Sequence, residues 1–344
     1  MKKLSVIVLA MFLVSSCIFM GSCGAQNGKL PIVCGETGMN DICGVATYGV
    51  NYYNLGVKAG DMAADILLNG ADPATMAVQG DPNPALSINE TVAADIGFTI
   101  PESVASRASG GETEKVTRVE SAIVDSDADF TVGILQLVQH VALDQSNEGF
   151  VDQLSKRMSE AGKTVTILDK NANGDESNNV TIAENFVTQN VDLIYTIATS
   201  SSQAAVTATA ESDIPVIFNA VTDPVDAGLV ASLEAPGKNV TGVSDMNPVE
   251  AQIDLIGELL GKDDIKIGFL YTSAETNSVM QVNLAKARCD EKGYTYAEKG
   301  IVDMNDIESA FAALAKEGVD AIYIPTDNVI ANASALVHSA NMGE

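Results

Sequence analysis

From Phe130 onward, short apolar runs alternate with longer stretches of helical periodicity. The apolar runs are rich in β-branched residues and contain few polar ones, which is typical of strands covered on both faces of a parallel sheet. They lie at 132–135, 165–168, 193–197, 215–218, 240–243, 265–271 and 321–324, with two more at 30–33 and 45–47. Helical stretches lie at 148–161, 179–189, 248–260, 278–292, 306–316 and 329–340. This alternation predicts βαβ units.

These runs are too many for one doubly wound sheet in a chain of 344 residues. We therefore predict an α/β protein with two doubly wound parallel-sheet lobes joined by a hinge. Lobe A is predicted at 130–245 and lobe B at 246–344. Residues 108–129 carry many charges and few large apolar side chains. They are therefore predicted to form a flexible linker.

The charge of the chain excludes several kinds of partner. Nineteen Lys and Arg residues stand against 46 Asp and Glu residues, which gives a formal net charge of -27. A chain this acidic repels phosphate backbones, so nucleic acid is excluded as a partner. The two histidines and the cysteines lack the spacing of a metal site, and we expect neither a metal nor another cofactor.

The motifs that mark catalysis are missing from the sequence. There is no nucleophile elbow of the Gly-x-Ser-x-Gly type and no Gly-x-Gly-x-x-Gly after the first predicted strand. The string GETG (35–38) lacks the Lys-Ser/Thr of a phosphate-binding loop. We therefore expect no enzyme activity.

Residues 1–23 have the features of a lipoprotein export signal. Cys17 and Cys23 each end a string that resembles a bacterial lipobox. We favour Cys23 as the lipidated residue, because cleavage before Cys17 leaves three large apolar residues exposed. Ordinary secretion with cleavage after Ala25 is a further alternative. The protein is predicted to be exported and lipid-anchored on the outer face of the cytoplasmic membrane, or periplasmic.

Removal of the signal leaves Cys34, Cys43 and Cys289. In an exported protein, Cys34 and Cys43 either form a disulfide or remain as buried free thiols. The spacing of the two cysteines does not decide between these alternatives.

Several strings resemble those of one known family. They are VGILQLVQHVALD (132–144), IYTIATSSSQAA (194–205), IPVIFNAVTDPVDAGLV (214–230), GKNVTGVSD (237–245), IGFLYTSAETNS (267–278), IYIPTDNVI (322–330), VCGETGMNDICGVATYGVNYYNLG (33–56) and LSINETVAADIGFTIP (86–101). The chain resembles ABC-transporter substrate-binding lipoproteins of the tryptophan/tyrosine-binding type. The resemblance covers nearly all of 29–107 and 130–343.

The resemblance implies a periplasmic-binding-protein fold of type I in circularly permuted order. In that family the VGILQ block comes first and the block with ATYG and INETVA comes last, whereas here the latter block comes first. Residues 28–107 are then the family's C-terminal segment, shared between both lobes. The family order would join 341–343 to 29–31 in an exposed loop, which tolerates a cut.

Parallel α/β lobes turn the loops after their strands toward the cleft between the lobes, and the predicted ligand contacts lie in such loops. The loop at 199–202 opens a helix whose free N–H groups suit a carboxylate, although a serine there also serves as an N-cap. Asp327 suits a ligand ammonium, with an N-cap again as the alternative, and Asp245 is a second candidate. We expect Asp327→Ala to weaken binding and to leave the unliganded fold intact.

The predicted ligand contacts are Gln136, Thr199, Ser200, Ser201, Thr222, Asp245, Tyr271, Asn277, Ser278, Asp327, Asn328, Thr47 and Tyr48. The resemblance implies that they bind an amino acid, with an aromatic or other hydrophobic side chain as the first hypothesis. It also implies an ABC permease and an ATPase as partners of a monomeric binding protein. A ligand-sensing domain without coupling to transport is the alternative.

Overall fold

The computed structural model describes residues 29–109 and 113–343. The predicted signal at 1–23, with Cys17 and Cys23, lies outside the described residues. Over the described ranges, no helix has the length and apolar character needed to cross a membrane.

The strands follow the predicted alternation. They are β1 (Ile32–Cys34), β2 (Ala46–Gly49), β3 (Ala85–Ile88), β4 (Phe130–Gln136), β5 (Val165–Asn171), β6 (Leu193–Ile197), β7 (Val216–Val221), β8 (Val240–Ser244), β9 (Lys266–Thr272), β10 (Thr295–Ile301) and β11 (Ala321–Ile324). They form two sheets, in the orders β5-β4-β6-β7-β8 and β10-β9-β11-β1-β2-β3. All the pairings are parallel except that of β3 with β2, which is antiparallel. The two sheets confirm the predicted pair of α/β lobes.

Helices connect the strands. They are α1 (Thr37–Asn40), α2 (Tyr52–Asn69), α3 (Glu90–Asp95), α4 (Glu102–Ala105), α5 (Val141–Glu160), α6 (Glu176–Gln189), α7 (Thr199–Ala208), α8 (Val249–Leu260), α9 (Thr276–Lys292), α10 (Ile307–Lys316), α11 (Asn328–Asn332) and α12 (Ser334–Met342). Short 3₁₀ helices lie at Pro73–Thr75, Glu120–Ala122 and Met304–Asp306.

Each sheet is covered by apolar side chains on both faces. In β4, Ile134 belongs to the cluster under α2 and α5, whereas Leu135 belongs to the cluster on the opposite face. In β1, Val33 and Ile32 divide between two clusters in the same way. Because successive strand residues point to opposite faces, a strand buried on both sides must be apolar throughout. This is why the strands appear as continuous apolar runs in the sequence.

Residues 29–109 contribute to both lobes. The strands β1, β2 and β3 belong to the sheet of lobe B, whereas α2 packs along α5 of lobe A. Ideal Cβ atoms on Gly56 and Gly149 would lie 2.2 Å from Ser146 O and 2.1 Å from Tyr53 O. The two helix backbones therefore approach more closely than any larger residue at these positions allows.

The two ends of the described chain lie side by side. The Leu30 N–H donates to Asn341 Oδ1, and Asn341 Nδ2 donates to Leu30 O, both at 2.8 Å. The strand β1, which follows Leu30, pairs in parallel with β11, which precedes α12. The two ends are therefore placed as in a βαβ unit in which β11, α12 and β1 follow one another along the chain.

Residues 113–129 are held against lobe A, which differs from the expected flexible linker. The Val116 N–H donates to the Tyr53 hydroxyl at 2.8 Å, and Arg118 Nε donates to Asp152 Oδ1 at 2.6 Å. Ala122 is buried, and Ile123 forms a β-bridge with Val165. The few apolar residues of this segment therefore suffice to dock it, because α5 offers a complementary acid and an apolar edge.

The chain crosses between the lobes near residues 49–52, 80–85 and 244–249. Asn247 ties two of these crossings together, since its Oδ1 accepts a hydrogen bond from Val50 N–H at 3.1 Å. Its Nδ2 donates to Asp245 O and to Thr326 Oγ1. These crossings form the hinge region of the fold.

Candidate functional site

A cavity of about 510 Å³ lies between the two lobes, at the carboxyl ends of the strands. Lobe A contributes Leu137 and Val138 after β4 and the start of α7 after β6. Lobe B contributes residues after β9, β10 and β11, including Val302 and Met304. Parallel sheets place ligand sites at this edge, so this outer cavity lies where the sequence predicts the cleft.

The first turn of α7 faces the outer cavity through Thr199 and Ser200. No side chain caps this helix, and Ala198 before it has φ +89° and ψ 159°, a conformation that L residues rarely adopt. Strained backbone of this kind is concentrated at functional sites. The uncapped N–H groups and the positive end of the helix dipole suit a carboxylate.

The next two serines, Ser201 and Ser202, do not line the outer cavity. Ser201 is fully buried, and its hydroxyl donates to Asn179 Oδ1 at 2.8 Å. Ser202 is also buried, where its hydroxyl donates to Ala198 O. Of the three serines, Ser200 is the one that lines the outer cavity.

Asp327 is a structural centre of lobe B. Its Oδ1 accepts hydrogen bonds from Thr272 Oγ1 and Ile330 N–H, and its Oδ2 accepts from Thr272 N–H and Ser278 Oγ, at 2.6–2.9 Å. Each oxygen thus has two donors, and the residue is 1% exposed. This geometry disfavours the predicted role of Asp327 as a ligand acceptor and assigns Ser278 to the same network. The N-cap alternative fits the structure, because Asp327 caps α11.

Glu275 caps the same short helix from the other side. Its carboxylate accepts from Asn328 N–H and Val329 N–H, and from the side-chain amides of Asn328 and Asn277. Asn277 and Asn328 line the outer cavity and also a smaller one behind it. These two amides therefore lie at the junction of the two cavities.

The smaller, inner cavity has room for about one water molecule, with a volume of about 10 Å³. Its lining includes the predicted Thr222, Asp245 and Asp327, together with Glu36, Tyr52 and His140. A bulge in β7, with Ala220 at φ +51°, turns the chain toward Thr222. Glu36, Tyr52 and His140 are not among the contacts predicted from the sequence.

Six predicted contacts line neither cavity: Ser201 and Ser278, described above, and Gln136, Thr47, Tyr48 and Tyr271. Gln136 is buried at the end of β4, where its Nε2 donates to Val138 O and Asp144 Oδ1. Thr47 donates to Cys34 O. Tyr48 packs against the core of lobe B, and Tyr271 lies beside Glu298 on its surface. Gln136 and Thr47 thus support the loops of the cleft from behind.

The unliganded protein is expected to lose stability as the pH rises from about 4.5 to about 7. Burial raises the pKa of Glu36 from 4.5 to about 7, so the folded state holds a proton that the unfolded state has already released. Burial together with Asp327 raises the pKa of Glu275 to about 7, and burial raises that of Asp245 to about 6. Burial lowers the pKa of His140 from 6.5 to about 4. His140 therefore opposes this loss of stability only at pH values below about 6.5.

Thermal melts without ligand across this pH range measure the effect. A melting temperature that rises steadily from about pH 5 to about pH 7 would contradict it.

The fold and the cleft define a two-lobed α/β protein with a cavity between its lobes. A family model described as "ABC transporter substrate binding protein" matches residues 2–111 and 131–343. The chain therefore belongs to this family. Residues 112–130, between the two matched segments, include most of the predicted linker at 108–129.

Individual similar proteins are consistent with membership of this family. The tyrosine-binding protein of Clostridioides difficile (strain R20291) is 39% identical over 218 residues, which are 63% of this chain and 62% of the relative. The chain thus matches less than two thirds of that relative's length. A conserved domain protein from Vibrio cholerae is 37% identical, with a TM-score of 0.56 over 62% of this chain and 71% of that one.

The ABC domain from Streptococcus pneumonia, solved in complex with L-Trp, is 38% identical to this chain. Its TM-score is 0.54, over 62% of this chain and 70% of that one.

Proposed function

We propose that this protein is an extracytoplasmic solute-binding protein that closes its lobes on a free aromatic amino acid and delivers it to an ABC permease with its ATPase. The observation that carries the proposal is the outer cavity, whose walls come from both lobes. Its volume of about 510 Å³ lies in the range of small-molecule sites.

The lining of the cavity fits an amino acid with an apolar side chain. The uncapped start of α7 offers N–H groups to a carboxylate. Leu137 and Val138 from lobe A oppose Val302 and Met304 from lobe B. Val302 is 71% exposed, so a ligand ring that covers it removes a large apolar surface from water.

The names of two relatives point to the same class of ligand. One is called a tyrosine-binding protein, and the other was solved with L-Trp. Tryptophan, tyrosine and phenylalanine are therefore the ligands we propose for this chain. Their recognition needs no catalysis, and we propose that the protein carries out none.

Closure follows from contacts that the ligand makes with both lobes at once. A ligand that touches α7 of lobe A and the loops of lobe B has higher affinity for the closed state, and it shifts the population toward that state. The crossings at 49–52, 80–85 and 244–249 supply the hinge for this motion. The permease would then recognise the closed form.

We further propose that the chain is a circular permutant of the family order. The side-by-side ends at Leu30 and Asn341 support this, since a single loop would join α12 to β1. The continuous match of 218 residues to the tyrosine-binding relative is also close in length to 131–343 alone. Residues 1–23 are proposed as the export signal, with Cys23, or else Cys17, as the lipid-anchored residue.

A panel of free amino acids tests the ligand. Tryptophan, tyrosine or phenylalanine is expected to raise the melting temperature of the purified chain, because it binds the folded state alone. At a hundredfold excess over Kd the gain in unfolding free energy is about 2.7 kcal/mol. Glycine, purine nucleosides and sugars serve as controls, since they lack the ring or the zwitterion. If only a control compound shifts the melting temperature, the proposed ligand class is wrong.

A further inference from the structure

We propose that Asp245, within the inner cavity, is the acceptor for the ammonium group of the bound amino acid. This inference deepens the proposed function and depends on it. It places the amino end of the ligand behind Asn277 and Asn328, and the side chain in the outer cavity. The acid that binds the ligand is then Asp245 and not Asp327.

Asp245 has a buried carboxylate oxygen that accepts no hydrogen bond from the described residues. Asp245 is 2% exposed, and its Oδ2 accepts a hydrogen bond from the Tyr52 hydroxyl at 2.8 Å. Its Oδ1 is buried and has no hydrogen-bond partner in the described part of the chain. A buried carboxylate oxygen without a donor is costly, so a ligand that supplies one gains that free energy on binding.

The inner cavity suits an ammonium group in its size and its access. The inner cavity has room for about one water molecule, and an ammonium group has a similar size. Asn277 and Asn328 line both cavities, so a ligand in the outer cavity reaches the inner one past these two residues. No larger part of an amino acid fits beside Asp245.

The charges around the two cavities also favour a cationic group of the ligand. Among the described residues, no lysine or arginine lines either cavity, and His140 is held neutral by burial, which lowers its pKa to about 4. Glu36, on the same inner cavity, already accepts hydrogen bonds from Gly38 N–H and Met39 N–H. A ligand ammonium is therefore the cation that this group of acids lacks.

The position of Asp245 also couples binding to closure. It follows β8 at one hinge crossing, and its partner Tyr52 opens α2 at another. Asn277 and Asn328, at the entrance, belong to lobe B. An ammonium held here therefore contacts the hinge and lobe B together, which only the closed form allows.

The test compares amino acids with their deamino analogues. Calorimetric titration measures Kd for L-tryptophan against indole-3-propionate, and for L-tyrosine against 3-(4-hydroxyphenyl)propionate. In the unmodified protein the amino acid is expected to bind about a hundredfold more tightly than its analogue, since only the amino acid pairs with Asp245. In Asp245→Asn, which keeps an acceptor for Tyr52, this preference is expected to fall to about threefold or less.

Asp175→Asn is the matched control. Asp175 is exposed, lies beside residues that line the outer cavity without lining it itself, and caps α6 in a way that asparagine preserves. This control removes the same unit charge as Asp245→Asn, so a general electrostatic effect of the cleft would appear in both variants. We expect the preference for the amino acid to stay within about threefold of the unmodified protein in this control.

The outcomes separate the two proposals. If amino acids bind but Asp245→Asn keeps the full preference over the analogues, the ammonium site is wrong and the proposed function stands. The ammonium site is equally wrong if the unmodified protein binds amino acid and analogue with the same affinity, whether or not the variant folds. If neither amino acids nor the amines tryptamine and tyramine bind, both proposals fail.

Discussion

Replacing Asp327 by alanine is expected to lower the free energy of unfolding by about 3–5 kcal/mol. The carboxylate accepts hydrogen bonds from two groups of Thr272, from Ser278 and from Ile330, and all of them are buried. Alanine leaves these donors without partners and α11 without its N-cap. This prediction differs from the sequence-based expectation that the variant leaves the unliganded fold intact.

Urea denaturation of the unliganded protein measures this loss. Asp303→Ala serves as the control, because it also removes a cap, from Asn305 N–H, but at an exposed 3₁₀ helix. The control is expected to cost about 1 kcal/mol or less. A loss below about 1 kcal/mol for Asp327→Ala would show that its four donors find other partners, and Asp327 would regain its place as a ligand contact.

Asp327 caps α11 and also accepts hydrogen bonds from distant residues, and the local sequence indicates only the first of these two roles. An acid directly after a strand and before a helix is compatible with an N-cap, and the structure contains that cap. The contacts with Thr272 and Ser278 come from β9 and α9, about 50 residues earlier in the chain. Only the sheet order, with β11 beside β9, brings them together.

The fold was largely predictable because continuous apolar runs mark strands that are buried on both faces. The exceptions are the edge strands β3 and β10: Ala85 of β3 is exposed, and so are Tyr296 and Glu298 of β10. Each pairs with one strand alone and therefore lacks the apolar run that revealed the other strands. Residues 113–129 differ from the predicted flexible linker for a related reason, since their docking depends on a few contacts with α5.

The candidate site was predictable only in part. The rule that loops after parallel strands face the cleft located Ser200, Asn277 and Asn328. It failed for Tyr271, because β9 lies near the edge of its sheet and this side chain points away from the cavity. Glu36 is not among the predicted contacts, because the string GETG around it matches no ligand-binding motif. The presence of an acid directly after β1 was the signal that could have identified it.

The second large effect is expected at the contact between α2 and α5. Gly149→Ala should lower the free energy of unfolding by about 3 kcal/mol or more, because the new Cβ would lie 2.1 Å from the backbone oxygen of Tyr53. The higher helix propensity of alanine, about 1 kcal/mol, offsets only part of this cost. Backbone cannot move aside as a flexible side chain does, so the two helices must separate.

Gly257→Ala is the matched control for that experiment. Gly257 also lies inside a helix, α8, but its Cβ would meet the hydroxyl of Tyr294, the far end of a movable side chain. This variant is expected to stay within about 1 kcal/mol of the unmodified protein, with a gain from helix propensity. Equal urea midpoints for the two variants would mean that α2 and α5 can separate at little cost.

The consequence of Gly149→Ala extends to the ligand. The helix α2 begins with Tyr52, the residue that holds Asp245 in the inner cavity. A shift of α2 away from α5 moves Tyr52 relative to lobe A, so the variant should also bind the amino acid less tightly while still folded at low temperature. Calorimetric titration at about 10 °C measures this, at a temperature where such domains are near their maximum stability. Unchanged affinity in a destabilised variant would show that the position of α2 does not control the inner cavity.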